Sequence, residues 1–224
     1  MTDETLNLDT LYILDHYIQK HYAHEDALLR NILTRSEAAG LRNIHLSPTQ
    51  AKMLQMLVKI HGSKRILEVG SLGGYSGTWL ARALPENGQL VTLEMDPLAA
   101  QVARETFQEA GLESRVQLIE GDAIQTMKGL LKQEPFDFVF IDAHKPHYPE
   151  FYEFAMRLVR PGSVIVLDNV VQHGKVLDNS LKESQYRKIR ELNAFIGMDP
   201  RVEAIMVPTF TQKGLDGFLV VRVK

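Results

Sequence analysis

Along the first 62 residues the apolar positions recur at helical spacing. Leu28, Leu29, Ile32 and Leu33 share one face of a predicted helix, and Leu54, Leu57 and Val58 share a face of another. The second of these helices is announced by Ser47-Pro48-Thr49-Gln50: serine caps, proline takes the first helical position, and glutamine three residues on closes a capping box. From residue 64 the period changes. Short β-branched runs at Arg65 to Val69, Gln89 to Leu93, Val116 to Ile119, Phe136 to Ile141 and Ser163 to Leu167 alternate with helical stretches, the pattern of a parallel sheet. Asp96-Pro97 opens one intervening helix ahead of Ala100, Ala103, Phe107 and Ala110, and Gly111 stops it. After a helix predicted over Ser184 to Ile196 come two apolar runs, Val202 to Val207 and Gly217 to Val223. A loop over Pro208 to Asp216 is expected to separate them, and the pair to close one sheet edge as a hairpin. The expectation is an α/β fold with a seven-stranded, mostly parallel sheet, helices on both faces and an antiparallel C-terminal hairpin. Residues 1–62 form a helical N-terminal cap and 63–224 the core of one structural domain.

Composition narrows the chemistry. With 224 residues, 45% hydrophobic and 24% charged, the chain is long enough to bury a sizeable core. Its 25 basic and 28 acidic side chains leave a net charge of −3, so no bulk field draws it to nucleic acid or anionic lipid, and neither is an expected partner. The absence of cysteine excludes disulfide scaffolds, iron–sulfur clusters, thiolate zinc sites and thiol nucleophiles. Met1-Thr2-Asp3-Glu4 lacks the charged-then-apolar pattern of a signal peptide, and no apolar run approaches the roughly 18 residues of a membrane span. A cytoplasmic location is expected.

Five acidic residues mark the ends of the five predicted parallel strands: Glu68, Glu94, Asp122, Asp142 and Asp168. Ligands of open α/β sheets bind beyond the carboxyl ends of the strands, so this series is expected to line one crevice that suits a cation or a hydroxyl-rich ligand. The first turn, Glu68-Val69-Gly70-Ser71-Leu72-Gly73-Gly74-Tyr75-Ser76, is glycine-rich but is not the dinucleotide fingerprint, which would need glycine at Leu72 and Tyr75. Glu68 entering this turn would repel a pyrophosphate and attract an ammonium or sulfonium.

At this turn the chain resembles class I S-adenosylmethionine-dependent methyltransferases, in particular the metal-dependent catechol and caffeoyl-CoA O-methyltransferase group, whose first motif is similar to this E-x-G-x-x-x-G-Y-S run. The resemblance implies a Rossmann-like sheet and assigns the cofactor site. Gly70 and the Tyr75-Ser76 turn would hold the methionine part, and Glu94 would accept both ribose hydroxyls, a role that suits a two-oxygen acceptor. Met95 would lie against the adenine, with core filling as its other reading, and Asp122 and Ala123 would border the adenine edge. Asp142 and His144 would lie beside the cofactor.

The second informative stretch runs from Phe138 through Asp142-Ala143-His144-Lys145, followed by Leu167-Asp168-Asn169. Two carboxylates and an amide at adjacent strand ends are hard oxygen ligands suited to Mg²⁺, with Mn²⁺ or Ca²⁺ as alternatives. The resemblance implies that Asp142, Asp168 and Asn169 are the metal ligands and Lys145 the general base. A phenol is a poor nucleophile at neutral pH, but chelation of two adjacent hydroxyls by a divalent cation stabilises the phenolate, so a vicinal-dihydroxy aromatic is the expected substrate. Lys145 beside that cation is expected to have its pKa depressed, leaving a neutral amine to take the hydroxyl proton. A zinc site built from Asp142, His144 and His147 is the alternative at this place.

Two departures from the family stand out: His144 replaces the Asp of its D-A-D-K run, and Gln172 replaces a tryptophan that stacks on the substrate. Leu41 to Ser47 and Val170 to Ser180 are expected to cover the acceptor, His45 and His173 fall within them, and Tyr148 or Trp79 could replace the missing aromatic. Apolar Leu6, Leu11, Ile13 and Leu14 could serve a homodimer contact, as the family often does, or fold back on the core. Competing functions are metal-independent methylation of an RNA or protein nitrogen, a nicotinamide-dependent dehydrogenase, and a cofactor-binding module without catalysis.

Overall fold

The protein is described by a computed structural model over residues 8–224. Three helices, α1 (Leu8–Tyr22), α2 (Ala27–Ala38) and α3 (Pro48–His61), precede the first strand. Strands and helices then alternate: β1 (Arg65–Val69), α4 (Tyr75–Ala81), β2 (Gln89–Glu94), α5 (Pro97–Glu109), β3 (Val116–Glu120), α6 (Ala123–Leu130), β4 (Phe136–Ile141), α7 (Tyr148–Leu158) and β5 (Val159–Leu167). Helix α8 (Ser184–Met198) leads to β6 (Val202–Thr211) and β7 (Gly214–Val223). The seven strands form one sheet in the order β3-β2-β1-β4-β5-β7-β6. The first five are parallel, and β7 lies antiparallel between β5 and β6.

Helices cover both faces, which is why the inner strands read as near-continuous apolar runs. Ile66 of β1 packs with α2 to α5 on one face, while Leu67 and Val69 pack with α6, α7 and α8 on the other. In β4, Phe138 and Phe140 join the first cluster and Phe136, Val139 and Ile141 the second. The capping box at Ser47 forms with both reciprocal bonds, and Leu54 and Val58 of the helix it starts are buried beside Leu29 and Ile32. Asp96 caps α5 through the N–H groups of Leu98 and Ala99. Among the described residues no helix is long and apolar enough to cross a membrane.

Two boundaries differ from the sequence reading. The expected loop Pro208 to Asp216 is mostly strand, because β6 and β7 stay paired from Val202↔Val223 to Thr211↔Gly214, leaving Gln212 and Lys213 as the connection. Pro208 is tolerated because β6 is the sheet edge, where a residue without an N–H is least costly. Strand β5 begins at Val159 rather than Ser163, with an irregularity against β4 where Arg160-Pro161-Gly162 reads locally as a turn. The hairpin tip is tied to the cap by buried Asp15, which accepts from Thr49 Oγ1 at 2.8 Å and from the Gln212 N–H at 3.3 Å.

Of the four residues named for a dimer contact, Leu6 lies outside the described residues and Leu11 is half-buried, whereas Ile13 and Leu14 are exposed. They share that exposure with Ile205, Met206 and Phe210 of the edge strand.

Candidate active site

Strand order reverses between β1 and β4, so their carboxyl ends open the crevice of the sheet. Gly70 sits at that point with φ +99°, and a Cβ there would lie 2.9 Å from the carbonyl carbon of Asp142 and closer still to its oxygen. Backbone touches backbone, and only glycine permits it. Leu72 in the same turn also takes a positive φ of 47°, a conformation that non-glycine residues hold only where their surroundings impose it.

The glycine turn is fixed from below and from the side. Glu68 is not at the rim: it lies inside β1, fully buried, and accepts from Ser76 Oγ and Thr92 Oγ1, both at 2.6 Å. Burial, reinforced by the charges of Asp142 and Glu94, outweighs these two bonds and pushes its pKa up to about 7. Ser76 therefore spends its hydroxyl proton on Glu68, and Tyr75, also buried, donates its own to Glu25 at 2.8 Å. Glu94 ends β2 with its carboxylate spanning two loops: Oε2 accepts from the N–H groups of Ser71 and Leu72, Oε1 from those of Met95 and Asp96. Met95 is 68% exposed, so the core-filling alternative does not hold. Asp122 caps α6 through the Gln125 N–H, and Ala123 is the first residue of that helix. Among the described residues Ser71 Oγ is buried without a hydrogen-bond partner, so this atom of the turn is available to a ligand.

Glu68 carries a pH signature. A carboxyl whose folded pKa is raised binds protons more tightly than the unfolded chain, so its stabilising contribution is complete below about pH 4.5 and is lost as pH rises through about 7. Glu68→Gln is therefore expected to flatten the fall in stability between pH 5 and 8, worth about 2–3 kcal/mol at the upper limit. Urea unfolding at both pH values checks this, and an unchanged pH dependence would exclude Glu68 as its source.

On the β4 and β5 side, Lys145 Nζ donates to Asp142 Oδ1 at 2.9 Å and to the Tyr148 hydroxyl at 2.6 Å. That hydroxyl lies 3.1 Å from the carbonyls of both Ile141 and Asp168, so its single proton is directed to the strand ends and its lone pair to the ammonium. Burial disfavours the charge on Lys145, but Asp142, Tyr148 and Asp168 outweigh it and hold the pKa above the usual lysine range. The depressed pKa expected from the sequence belongs to a lysine beside a bound cation, whereas these influences are those of the protein's own groups. Asp168 is buried, its Oδ1 has no hydrogen-bond partner among the described residues, and burial together with Asp142 raises its pKa well above the ordinary carboxylate value. Asn169, in the left-handed region at φ 54°, gives its Nδ2 to Asp216 Oδ2 at 3.3 Å, which leaves its amide oxygen as the free ligand atom.

A buried, unpaired carboxylate oxygen beside a second carboxylate and an amide oxygen fits a hard divalent cation. His144 and His147 lie with ring centroids 5.3 Å apart, and His147 faces Glu150. Among the described residues no three His, Cys, Asp or Glu side chains converge on a metal, so the histidine zinc set does not form.

The places of four further side chains were not legible in the sequence. Asp216, assigned to a loop, sits in β7 and accepts from Val171, Gln172 and Gly217 N–H groups while orienting Asn169. Tyr148 serves Lys145 from within one core cluster, and Trp79 is buried in the other. His45 is buried with both ring nitrogens unpartnered among the described residues, and burial, assisted by Lys213, lowers its pKa to about 4, so its imidazole is neutral at pH 7.

A parallel sheet whose acidic crevice opens at a glycine turn unsuited to pyrophosphate has the architecture of the class I S-adenosylmethionine-dependent methyltransferases. An O-methyltransferase from Bacillus cereus, determined in complex with S-adenosylhomocysteine, superposes with a TM-score of 0.94 over 97% of this chain and 100% of that one at 41% identity. The sequence pattern of the O-methyltransferase family matches residues 19–223, and the chain belongs to that family of S-adenosylmethionine-dependent enzymes. It is 43% identical to a catechol O-methyltransferase of Niastella koreensis, covering 94% of this chain and 96% of the relative. It is 38% identical to a catechol O-methyltransferase of Mycobacterium tuberculosis, covering 94% and 95% respectively.

Proposed function

We propose that the chain transfers a methyl group from S-adenosylmethionine to one hydroxyl of a vicinal-dihydroxy aromatic, with a divalent cation at Asp142, Asp168 and Asn169 and Lys145 as general base. The observation that carries this reading is the unpaired, buried Asp168 Oδ1 beside Asp142 and Lys145. The names of the two relatives support the acceptor class. When bound, Mg²⁺ or a similar cation supplies positive charge that lowers the pKa of both acceptor hydroxyls. The carboxylates that keep Lys145 protonated here are the same two that would take the cation. With their charge neutralised, burial, the largest influence on Lys145, favours the neutral amine and is opposed only by the Tyr148 hydroxyl. Lys145 then accepts the hydroxyl proton at Nζ, held in place by the Tyr148 hydroxyl.

For the cofactor, Gly70 and the Tyr75-Ser76 turn would border the methionine part, and Glu94 the ribose. Exposed Met95 would cover the adenine, Asp122 and Ala123 would border its edge, and Asp142 and His144 would flank the donor. Because Glu94 already receives four backbone N–H groups, it would meet the ribose as a rigid, preorganised acceptor shared between protein and ligand. Two copies would join through exposed Ile13, Leu14 and the β6 edge, and sedimentation at a monomer mass would remove that part.

Incubation with S-adenosylmethionine, Mg²⁺ and either catechol or phenol tests the reading by mass spectrometry. A product one methyl heavier is expected from catechol and none from phenol. Equal methylation of both would contradict chelation of adjacent hydroxyls.

A further inference from the structure

The two-residue tip of the β6–β7 hairpin stands between the two segments expected to cover the acceptor. On one side Lys213 Nζ donates to the carbonyl of His45, and to Asn43 Oδ1 at 3.4 Å. On the other, the His173 ring lies against Gly214, 3.1 Å from where a Cβ would be. The tip is anchored by the bond from the Gln212 N–H to Asp15, so this placement is built into the fold. Lys213 is exposed, and both of its hydrogen-bond acceptors are neutral oxygens; among the described residues no carboxylate pairs with it. Two of its three N–H donors are used, and one is free. Burial holds its pKa below the usual lysine value while the charges of Asp142 and Asp168 act to raise it, which places this ammonium on the same side of the sheet as the proposed cation.

The acceptor loops also carry Arg42 and Lys175, the latter held to the Tyr186 hydroxyl at 3.0 Å, but offer little else to recognise a ring substituent. Gln172 replaces the aromatic residue of the family and turns its amide inward, donating from Nε2 to the Asn169 carbonyl at 2.7 Å. Tyr148 and Trp79 are buried in the core. His45 beside Lys213 is neutral, so of this pair the lysine carries the positive charge.

We propose that Lys213 is a specificity-determining residue that selects acceptors bearing a carboxylate on the ring or on a short side chain, so that the enzyme methylates catechol carboxylic acids in preference to uncharged catechols. The inference rests on the catechol reading given above. The reacting hydroxyls approach Lys145 and the Asp142–Asp168 pair, and the acid at the far end of the acceptor meets the free N–H of Lys213. A partly exposed ion pair of this kind favours the charged acceptor by a modest factor and acts mainly through KM.

The test compares 3-(3,4-dihydroxyphenyl)propionate with its primary amide, which has nearly the same shape and a ring insulated from the charge. The ratio of their kcat/KM values is read with Mg²⁺ and S-adenosylmethionine saturating. Wild type is expected to favour the acid about 5- to 10-fold, Lys213→Arg to keep most of that preference, Lys213→Met to bring the ratio to about 1, and Lys213→Glu to invert it. Because the readout is a ratio within each variant, a partial loss of folded protein does not move it. A wild-type ratio near 1, or a preference for the acid that survives Lys213→Met, would overturn the proposal. Turnover of the amide alone would do the same while leaving the catechol reading in place, whereas absence of turnover with both acceptors and with catechol itself would refute that reading and this one together.

Discussion

Lys145→Met is expected to lower the turnover of catechol by about 10²- to 10⁴-fold, the range for removing a positioned general base. The loss should fall on kcat, because Lys145 is bound to Asp142 and Tyr148 within the chain and is assigned to the proton rather than to the acceptor's framework. The pH profile separates this role from a structural one. In wild type the rate should rise with pH until the amine is free, and in Lys145→Met the residual rate should lack that limb. Without added cation the variant should also be less stable, since it leaves Asp142 and Asp168 close together with no positive partner. A turnover within threefold of wild type at saturating Mg²⁺ would remove Lys145 from the chemistry.

The second large effect is expected at Gly70. Gly70→Ala forces a Cβ into the Asp142 backbone at a position whose φ of +99° already disfavours any side chain. The neighbour is main chain at the end of β4, so it cannot rotate away. The ends of β1 and β4 must separate, at a cost of several kcal/mol. Because Asp142 is the residue displaced, affinity for S-adenosylhomocysteine and response to Mg²⁺ should both collapse even in the fraction that stays folded. Thermal melting with and without S-adenosylhomocysteine measures both effects. A variant that melts within about 2 °C of wild type and still gains stability from the ligand would show that this close approach is not required.

What could be read from the sequence follows from how local each signal is. Strands β1 and β4 matched to the residue, because runs buried on both faces leave a mostly apolar signature, interrupted here by Glu68 and Asp137 and bounded by polar turns. The caps at Ser47 and Asp96 were legible because donor and acceptor lie within three residues of each other. The hairpin was misjudged in length because Pro208, Thr209, Gln212 and Gly214 are loop-forming by composition, and only the sheet order shows that an edge strand tolerates them. Within the site, Asp142, Asp168 and Asn169 were visible at strand ends, whereas their supports were not. Asp216 reaches Asn169 across 47 positions, and Lys213 reaches His45 across 168. Glu68 was counted among the strand-end acids although it is the penultimate residue of β1, and one position along a strand moves a side chain from the crevice into the interior.

Catechol methylation against free Mg²⁺, measured on protein first stripped with a chelator, bears most directly on whether a cation at Asp142, Asp168 and Asn169 activates the acceptor. The rate should be near zero in excess chelator, rise to saturation as Mg²⁺ is restored, and require far more Mg²⁺ in Asp168→Asn. A full rate with the chelator still in excess would contradict the account.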